Sequence, residues 1–164
     1  MLLNKTIPFG EWLPDQPALG NGVTVVKNCI PNTQSYRSIG ALSSISDALD
    51  SACIGAEWAK DGTSAYFNFA GDAGKLYRLT AATFADKSKA GGYTASSWEF
   101  AVWGDRVIAS CIEEPMQYFD MSTSTLFADL PGSPPQAKHI AVIRDFIVTG
   151  NVEEGGIVYP NRVR

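Results

Sequence analysis

Apolar and polar positions follow one pattern up to about residue 50 and another beyond it. From about residue 51, short apolar runs alternate with turn signals every 8–12 residues. That spacing belongs to an all-β chain of short antiparallel strands. The runs cover 65–69, 75–79, 98–103, 107–109, 116–119, 126–127, 139–143 and 146–148. Glycine and acidic residues punctuate them at Gly71-Asp72-Ala73-Gly74, Gly104-Asp105 and Glu153-Glu154-Gly155-Gly156. Asp105 and Asp145 read as turn residues, because Asp bonds its own backbone in such turns.

The first fifty residues read differently. Pro8, Pro14 and Pro17, with Gly10, Gly20 and Gly22, exclude a helix over 1–22 and predict an extended arm. This arm carries Phe9, Trp12 and Leu13, which have no core of their own. They must dock on this domain or on a neighbouring subunit, and are the candidate interface residues. Val23-Thr24-Val25-Val26 reads as a strand, and Asn28 to Asn32, with Pro31, as a turn. Over 36–50, Ile39, Leu42, Ile45 and Leu49 recur at helical spacing, but the intervening serines are weak helix formers. Irregular structure with at most one helical turn is expected there. The chain therefore divides into an arm with a connecting segment, 1–50, and a strand-rich part, 51–164.

The strand-rich part repeats. Residues 100–114 set against 140–154, an offset of 40, are identical at five of fifteen positions: Ala101/Ala141, Val102/Val142, Asp105/Asp145, Glu113/Glu153 and Glu114/Glu154. A fainter earlier copy places Tyr66-Phe67 41 residues before Val107-Ile108 and Leu76-Tyr77 41 before Gln117-Tyr118. Phe84-Ala85-Asp86 recurs as Phe127-Ala128-Asp129. A period near 40 built from about four strands is the signature of a β-propeller blade. The blades span about 52–88, about 96–130 and 138 onward, with Leu130 to Pro135 linking the second to the third. About two and a half blades result. The third stops at Arg164, where its third strand should run, as in a fragment or a sheet completed by another chain.

Composition narrows the chemistry. The chain has 164 residues, 45% of them hydrophobic and 18% charged, with a net charge of −4. This suits one domain with a core and excludes a disordered chain. The thirteen Lys and Arg are scattered singly, so no basic track exists to grip a phosphate backbone. Cys29, Cys53 and Cys111 are odd in number and lack CxxC spacing, which argues against zinc and a disulfide framework. They read as free thiols of a reducing cytoplasm, packed as small hydrophobes. The N-terminus lacks the apolar stretch of a signal peptide, and no run reaches transmembrane length.

Catalytic constellations are sparse. His139, the sole histidine, lies in an apolar run and reads as a packed or half-exposed core position. No GxSxG elbow is present. Gly71-Asp72-Ala73-Gly74-Lys75 lacks the spacing of a phosphate loop and has Leu76 where Ser or Thr would hold magnesium, so it reads as a hairpin turn. The pair Glu113-Glu114 recurs at Glu153-Glu154, which favours a turn position over one active site. Trp12, Trp58, Trp98 and Trp103 could form sugar-stacking platforms, but aromatics at strand positions serve more often in cores or interfaces. The expectation is a protein without catalytic residues, cofactor or metal.

Several stretches resemble a group of tailed-bacteriophage structural proteins. They are Pro8-Phe9-Gly10-Glu11-Trp12-Leu13-Pro14-Asp15, Asn28 with Pro31 followed by Tyr36-Arg37, Phe69-Ala70-Gly71-Asp72, and Trp103-Gly104-Asp105. Pro115 to Asp120 and Tyr159-Pro160-Asn161-Arg162-Val163 continue the likeness. The chain is similar to the N-terminal part of the packaged-DNA stabilisation or tail-nozzle proteins of short-tailed phages. The resemblance implies propeller-like domains, ring oligomers, and contacts with portal, adaptor and other tail proteins. It also implies a channel through which DNA passes without specific binding. The implied location is the virion tail, after synthesis in the host cytoplasm. A receptor- or carbohydrate-binding β module of a phage tail is the alternative.

Overall fold

The computed structural model describes residues 10–15, 22–32, 35–41 and 43–164. The chain forms two compact units, Met1–Ser43 and Ser44–Arg164. Among the described residues every regular element is a strand and none is a helix. The sheets are antiparallel and none closes on itself.

The first unit holds one hairpin, β1 (Cys29–Asn32) paired with β2 (Ser35–Ser38). Here the sequence reading needs correction. Asn28 to Asn32 was expected to turn, yet only Asn28 takes the left-handed conformation, at φ 58°, and the residues after it extend. The β-branched run 23–26 forms no strand. Val23 alone makes an isolated parallel bridge, to Trp12. Among the described residues of 36–50 no helical turn forms, and Ser35–Ser38 is strand instead.

The second unit contains three successive sheets, each built in chain order. Sheet I comprises β3 (Gly55–Lys60), β4 (Tyr66–Gly71), β5 (Leu76–Thr80) and β6 (Thr83–Asp86). Sheet II comprises β7 (Glu99–Trp103), β8 (Arg106–Ser110), β9 (Gln117–Asp120) and the two-residue β10 (Ala128–Asp129). Sheet III comprises β11 (Gln136–Ile143), β12 (Phe146–Glu154) and β13 (Ile157–Val163). The run expected at 126–127 begins two residues later, because Phe127 turns into the core and only Ala128 and Asp129 pair with β9.

Carboxylates set the turns. Asp61 Oδ1 accepts hydrogen bonds from the backbone N–H groups of Thr63 and Ala65, at 2.9 and 2.8 Å, and closes β3 onto β4. Asp72 Oδ1 does the same for Gly74 and Lys75, at 2.8 and 2.7 Å. Both are turns in which a short acidic side chain replaces a backbone acceptor. The two-residue turn between β12 and β13 places Gly155 and Gly156 at φ 62° and 83°, which glycine adopts without steric cost.

Alternation along each strand divides its side chains between two faces. Phe67, Phe69 and Leu76 of sheet I meet Phe100, Val107, Ala109 and Phe119 of sheet II in one core. Phe69, Phe119 and Phe127 form its aromatic centre, with ring centroids 5.2–5.8 Å apart. The Arg78 guanidinium lies 4.3 Å above Phe67 and 5.9 Å from Phe119, at the seam between the sheets. Ala101 and Ile108, on the opposite face of sheet II, meet Ala137, Ile140 and Val152 of sheet III in a second core. Sheet II is thus sandwiched. The sheets approach one another most closely at their first strands, with β3 and β11 both running beside β7.

Trp98 fastens sheet I to sheet II. Its backbone N–H donates to the Ile54 carbonyl (3.2 Å) and its indole Nε1 donates to the Asp72 carbonyl (2.9 Å). The ring covers Gly71 and stands edge-on to Tyr93, at 5.1 Å.

Candidate functional site

The outer face of sheet I carries an exposed aromatic pair. Register sets Trp58 opposite Asn68 and Lys60 opposite Tyr66. Ala59, Phe67 and Phe69 point into the core, so Trp58 and Tyr66 point away from it. Their rings stack at 5.1 Å with planes 20° apart, yet stay 56% and 59% exposed. Lys60 Nζ lies 5.7 Å from the Tyr66 ring. Beside the pair runs a groove of about 490 Å³ against Ile45, Leu49, Cys53, Leu79 and Phe84. Asp47 holds the near wall: its N–H donates to the Ala82 carbonyl (2.9 Å) and its Oδ1 accepts from the Phe84 N–H (2.8 Å). The sequence pointed to Trp58 but not to Tyr66. The missed signal was an aromatic on the polar phase of Tyr66-Phe67-Asn68-Phe69.

Sheet III also leaves its outer face uncovered. Ile140, Val142, Ile147 and Tyr159 turn toward sheet II, so Ala141, Ile143, Phe146 and Val158 point outward. Phe146 is 73% exposed. Glu154 braces β13 against β12: it accepts from Arg162 Nη1 at 2.6 Å and from Arg164 Nε at 3.0 Å. The hydrogen bond from Arg164 does most to hold the Glu154 carboxyl below its ordinary value.

Of the candidate interface residues, Phe9 lies outside the described residues. Trp12 is exposed and Leu13 half-buried. Leu13 N–H donates to the Val23 carbonyl (3.0 Å), Val23 N–H to the Glu11 carbonyl (2.9 Å), and Tyr36 Oη to the Gly10 carbonyl (2.7 Å). Gly10, Glu11 and Leu13 are therefore bonded within their own unit, one of the two places where the sequence led us to expect the arm to dock.

The chemical candidates are dispersed. His139 was expected as a packed or half-exposed core position but is exposed; its Nδ1 lies 2.8 Å from Glu99 Oε2, its equivalent one repeat earlier. The polar end of an apolar run thus bridges two first strands. Asp105 does not cap its own turn. Its carboxylate accepts the N–H of Gly62, in the turn between β3 and β4, at 2.6 Å. Glu113 accepts from Ser96 Oγ (2.6 Å) and Glu114 from the Thr94 N–H (3.1 Å), whereas Glu153 accepts from the Gly156 N–H. The acidic pairs thus hold connections. Gly71 to Lys75 is a hairpin turn, as expected. The cysteines are free thiols; Cys111 is buried, but Cys53 is exposed and does not act as a packed hydrophobe. Among the described residues no cluster of three potential metal ligands occurs.

Burial sets the titration of the core. It pushes the Tyr77 and Tyr93 hydroxyls up to about 12, Tyr77 with further help from Asp72, and the Cys111 thiol up to about 11. Each group keeps its proton in the folded state at a pH where the unfolded chain has lost it. Stability is then complete below about pH 9 and falls as pH rises toward 12. Urea midpoints should hold level from pH 8 to about 9 and decline from there to pH 11, and a flat profile throughout would contradict this.

No helix among the described residues is long and apolar enough to cross a membrane. Comparison with protein-family models and with curated proteins finds no match for the chain.

Proposed function

We propose that the chain is a structural component of a phage tail or head–tail connector and acts by self-association. In this reading the three sheets are β-propeller-like blades, about two and a half in number. Residues 1–50 serve as arm and connector, with Phe9, Trp12 and Leu13 at a subunit contact. One observation carries it: both outermost sheet faces expose large apolar side chains, Trp58 and Tyr66 on one and Ile143 and Phe146 on the other. Contiguous exposed apolar surface of this kind belongs to interaction sites. The resemblance of Pro8 to Asp15, Pro115 to Asp120 and Tyr159 to Val163 to nozzle-type proteins supplies the setting: a virion part made in the host cytoplasm. Its partners are copies of itself and portal, adaptor or other tail proteins. A net charge of −4 suits a channel wall along which DNA slides unbound.

The test is the mass of the purified chain by light scattering, alone and with portal or adaptor proteins. An oligomer or a mixed complex is expected. A monomer that joins none of them would refute the reading. The stacked Trp58–Tyr66 pair favours a second reading, a carbohydrate-binding module. Glycan-dependent quenching of tryptophan emission, lost in Trp58→Ala, would support it over the first.

A further inference from the structure

Asp61-Gly62 is the chain's one Asp-Gly pair. Such a pair is prone to rearrange, because glycine has no side chain to hinder its own nitrogen. The Gly62 nitrogen can attack Asp61 Cγ and form a new C–N bond. The Cγ–OH bond breaks, and the hydroxyl leaves with the amide proton as water. A five-membered imide results. Water then adds to the Asp61 main-chain carbonyl carbon, whose bond to the Gly62 nitrogen breaks as that nitrogen regains a proton. Composition is unchanged. The main chain now runs through Cγ and is one atom longer, and the free carboxylate sits on Cα.

Both reacting groups are held in the fold. The Gly62 N–H donates to Asp105 Oδ1 at 2.6 Å. Asp61 Oδ1 accepts the Thr63 and Ala65 N–H groups, at 2.9 and 2.8 Å, and the Thr63 hydroxyl at 2.8 Å. Attack needs the nitrogen to lose its proton and the carboxyl to carry one, so that water can leave. Asp105 opposes the first requirement, because an amide anion would face a carboxylate across a hydrogen-bond distance. The turn opposes the second. Burial pushes the Asp61 carboxyl up, but the Thr63 hydroxyl and the Ala65 and Thr63 amides outweigh it and hold the carboxyl below its ordinary value. Asp105 belongs to the neighbouring sheet, in the turn between β7 and β8. Its own carbonyl accepts the Met121 N–H at 2.9 Å, which fixes that turn within sheet II.

We propose that Asp61-Gly62 is a site of covalent ageing by isomerisation to isoaspartate, and that Asp105 guards it from across the seam between sheets I and II. The proposal stands whether or not the chain assembles, since every group it uses belongs to the turns of one chain. Its consequence falls on the exposed aromatic pair. Asp61 follows Lys60 directly, and Lys60 pairs with Tyr66 at the end of β3 and β4. An added main-chain atom there strips Thr63 and Ala65 of their acceptor and disturbs the register that stacks Trp58 on Tyr66. Local opening of the two sheets therefore exposes the bond to reaction, and each such reaction is permanent.

Peptide mapping of the full chain after incubation in warm neutral buffer tests this, with the isoaspartyl form of the segment around residue 61 resolved by chromatography. The conversion adds no mass, which separates it from deamidation at Asn21-Gly22. Folded wild type should convert several-fold more slowly than the same chain in concentrated urea. Folded Asp105→Ala should convert several-fold faster than folded wild type, with unchanged strand circular dichroism, since the Asp105 side chain is exposed and lies outside the cores. In urea the two proteins should convert at one rate. Asp105→Asn keeps an acceptor but loses the charge, and should fall between wild type and Asp105→Ala. Equal rates in folded wild type and folded Asp105→Ala would overturn the guard. Slower conversion in Asp105→Ala would make Asp105 the base that draws off the amide proton, and would overturn it too. Equal rates in folded and unfolded wild type would overturn it without recourse to any variant.

Discussion

Trp98→Ala will destabilise the protein by about 3–5 kcal/mol, the usual cost of truncating a large buried aromatic. Trp98 is only 5% exposed and lies between the first two sheets. Its loss opens a cavity and leaves the Asp72 carbonyl without its indole donor. The bed of the ring is two glycines paired across β3 and β4, Gly55 and Gly71. A Cβ on Gly71 would stand 2.4 Å from Trp98 Cδ1, and one on Gly55 2.3 Å from the Trp98 carbonyl oxygen. Gly71→Ala should therefore cost about 1–3 kcal/mol by overpacking. In the Trp98→Ala background the added methyl group has space, and its cost should shrink toward zero. Urea denaturation of the four proteins measures this coupling. Additive costs would mean that the ring does not press on Gly71. Gly55→Ala should be harder to accommodate, since its obstacle is backbone.

Asp72→Ala should cost about 3 kcal/mol by a different route, the loss of one carboxylate that serves several donors. Asp72 is 2% exposed. Its Oδ1 accepts the Gly74 and Lys75 N–H groups, and its Oδ2 accepts the Tyr77 hydroxyl at 2.9 Å. Truncation leaves a buried phenol and two turn amides without their acceptor. Tyr77→Phe removes only the phenol and should cost about 1 kcal/mol. Once Tyr77 is Phe, Asp72→Ala should cost less, because no buried hydroxyl is then abandoned. Equal costs in both backgrounds would show that the Asp72–Tyr77 bond contributes nothing measurable. Tyr77→Phe should also lessen the decline of stability at alkaline pH, since one of the groups that hold protons there is gone.

The strands after residue 60 were legible because their alternation and their turn chemistry agree. Tyr66-Phe67-Asn68-Phe69 alternates cleanly, and Gly71-Asp72-Ala73-Gly74 ends it with residues suited to a tight turn. β3 left no such trace. Gly-Ala-Glu-Trp-Ala-Lys holds mostly weak strand formers, and its state comes from pairing with β4 over six residues. The opposite error occurred at 23–26, where a β-branched run found a partner only at Val23. β1 was hidden by Pro31, which reads as a turn residue. Site residues divide the same way. Exposure of Trp58 depends on which phase of β3 meets sheet II, and composition does not carry that. Asp105 was read from its local turn, but its partner, Gly62, lies 43 residues away. The repeat was visible as a period; which of its faces stay uncovered depends on the stacking order.

That stacking order also bears on how the chain leaves the ribosome. Each sheet is a meander of consecutive strands, so sheet I is complete once roughly thirty residues from Gly55 have emerged. Hairpins form in about 1–10 μs, whereas synthesis adds about 5–20 residues per second. Sheet I can therefore pair its strands seconds before Phe100, Val107 and Phe119 arrive to cover Phe67 and Phe69. During that interval the nascent chain presents its stickiest surface, and the delivery of Trp98, just ahead of β7, is the step that begins to shield it.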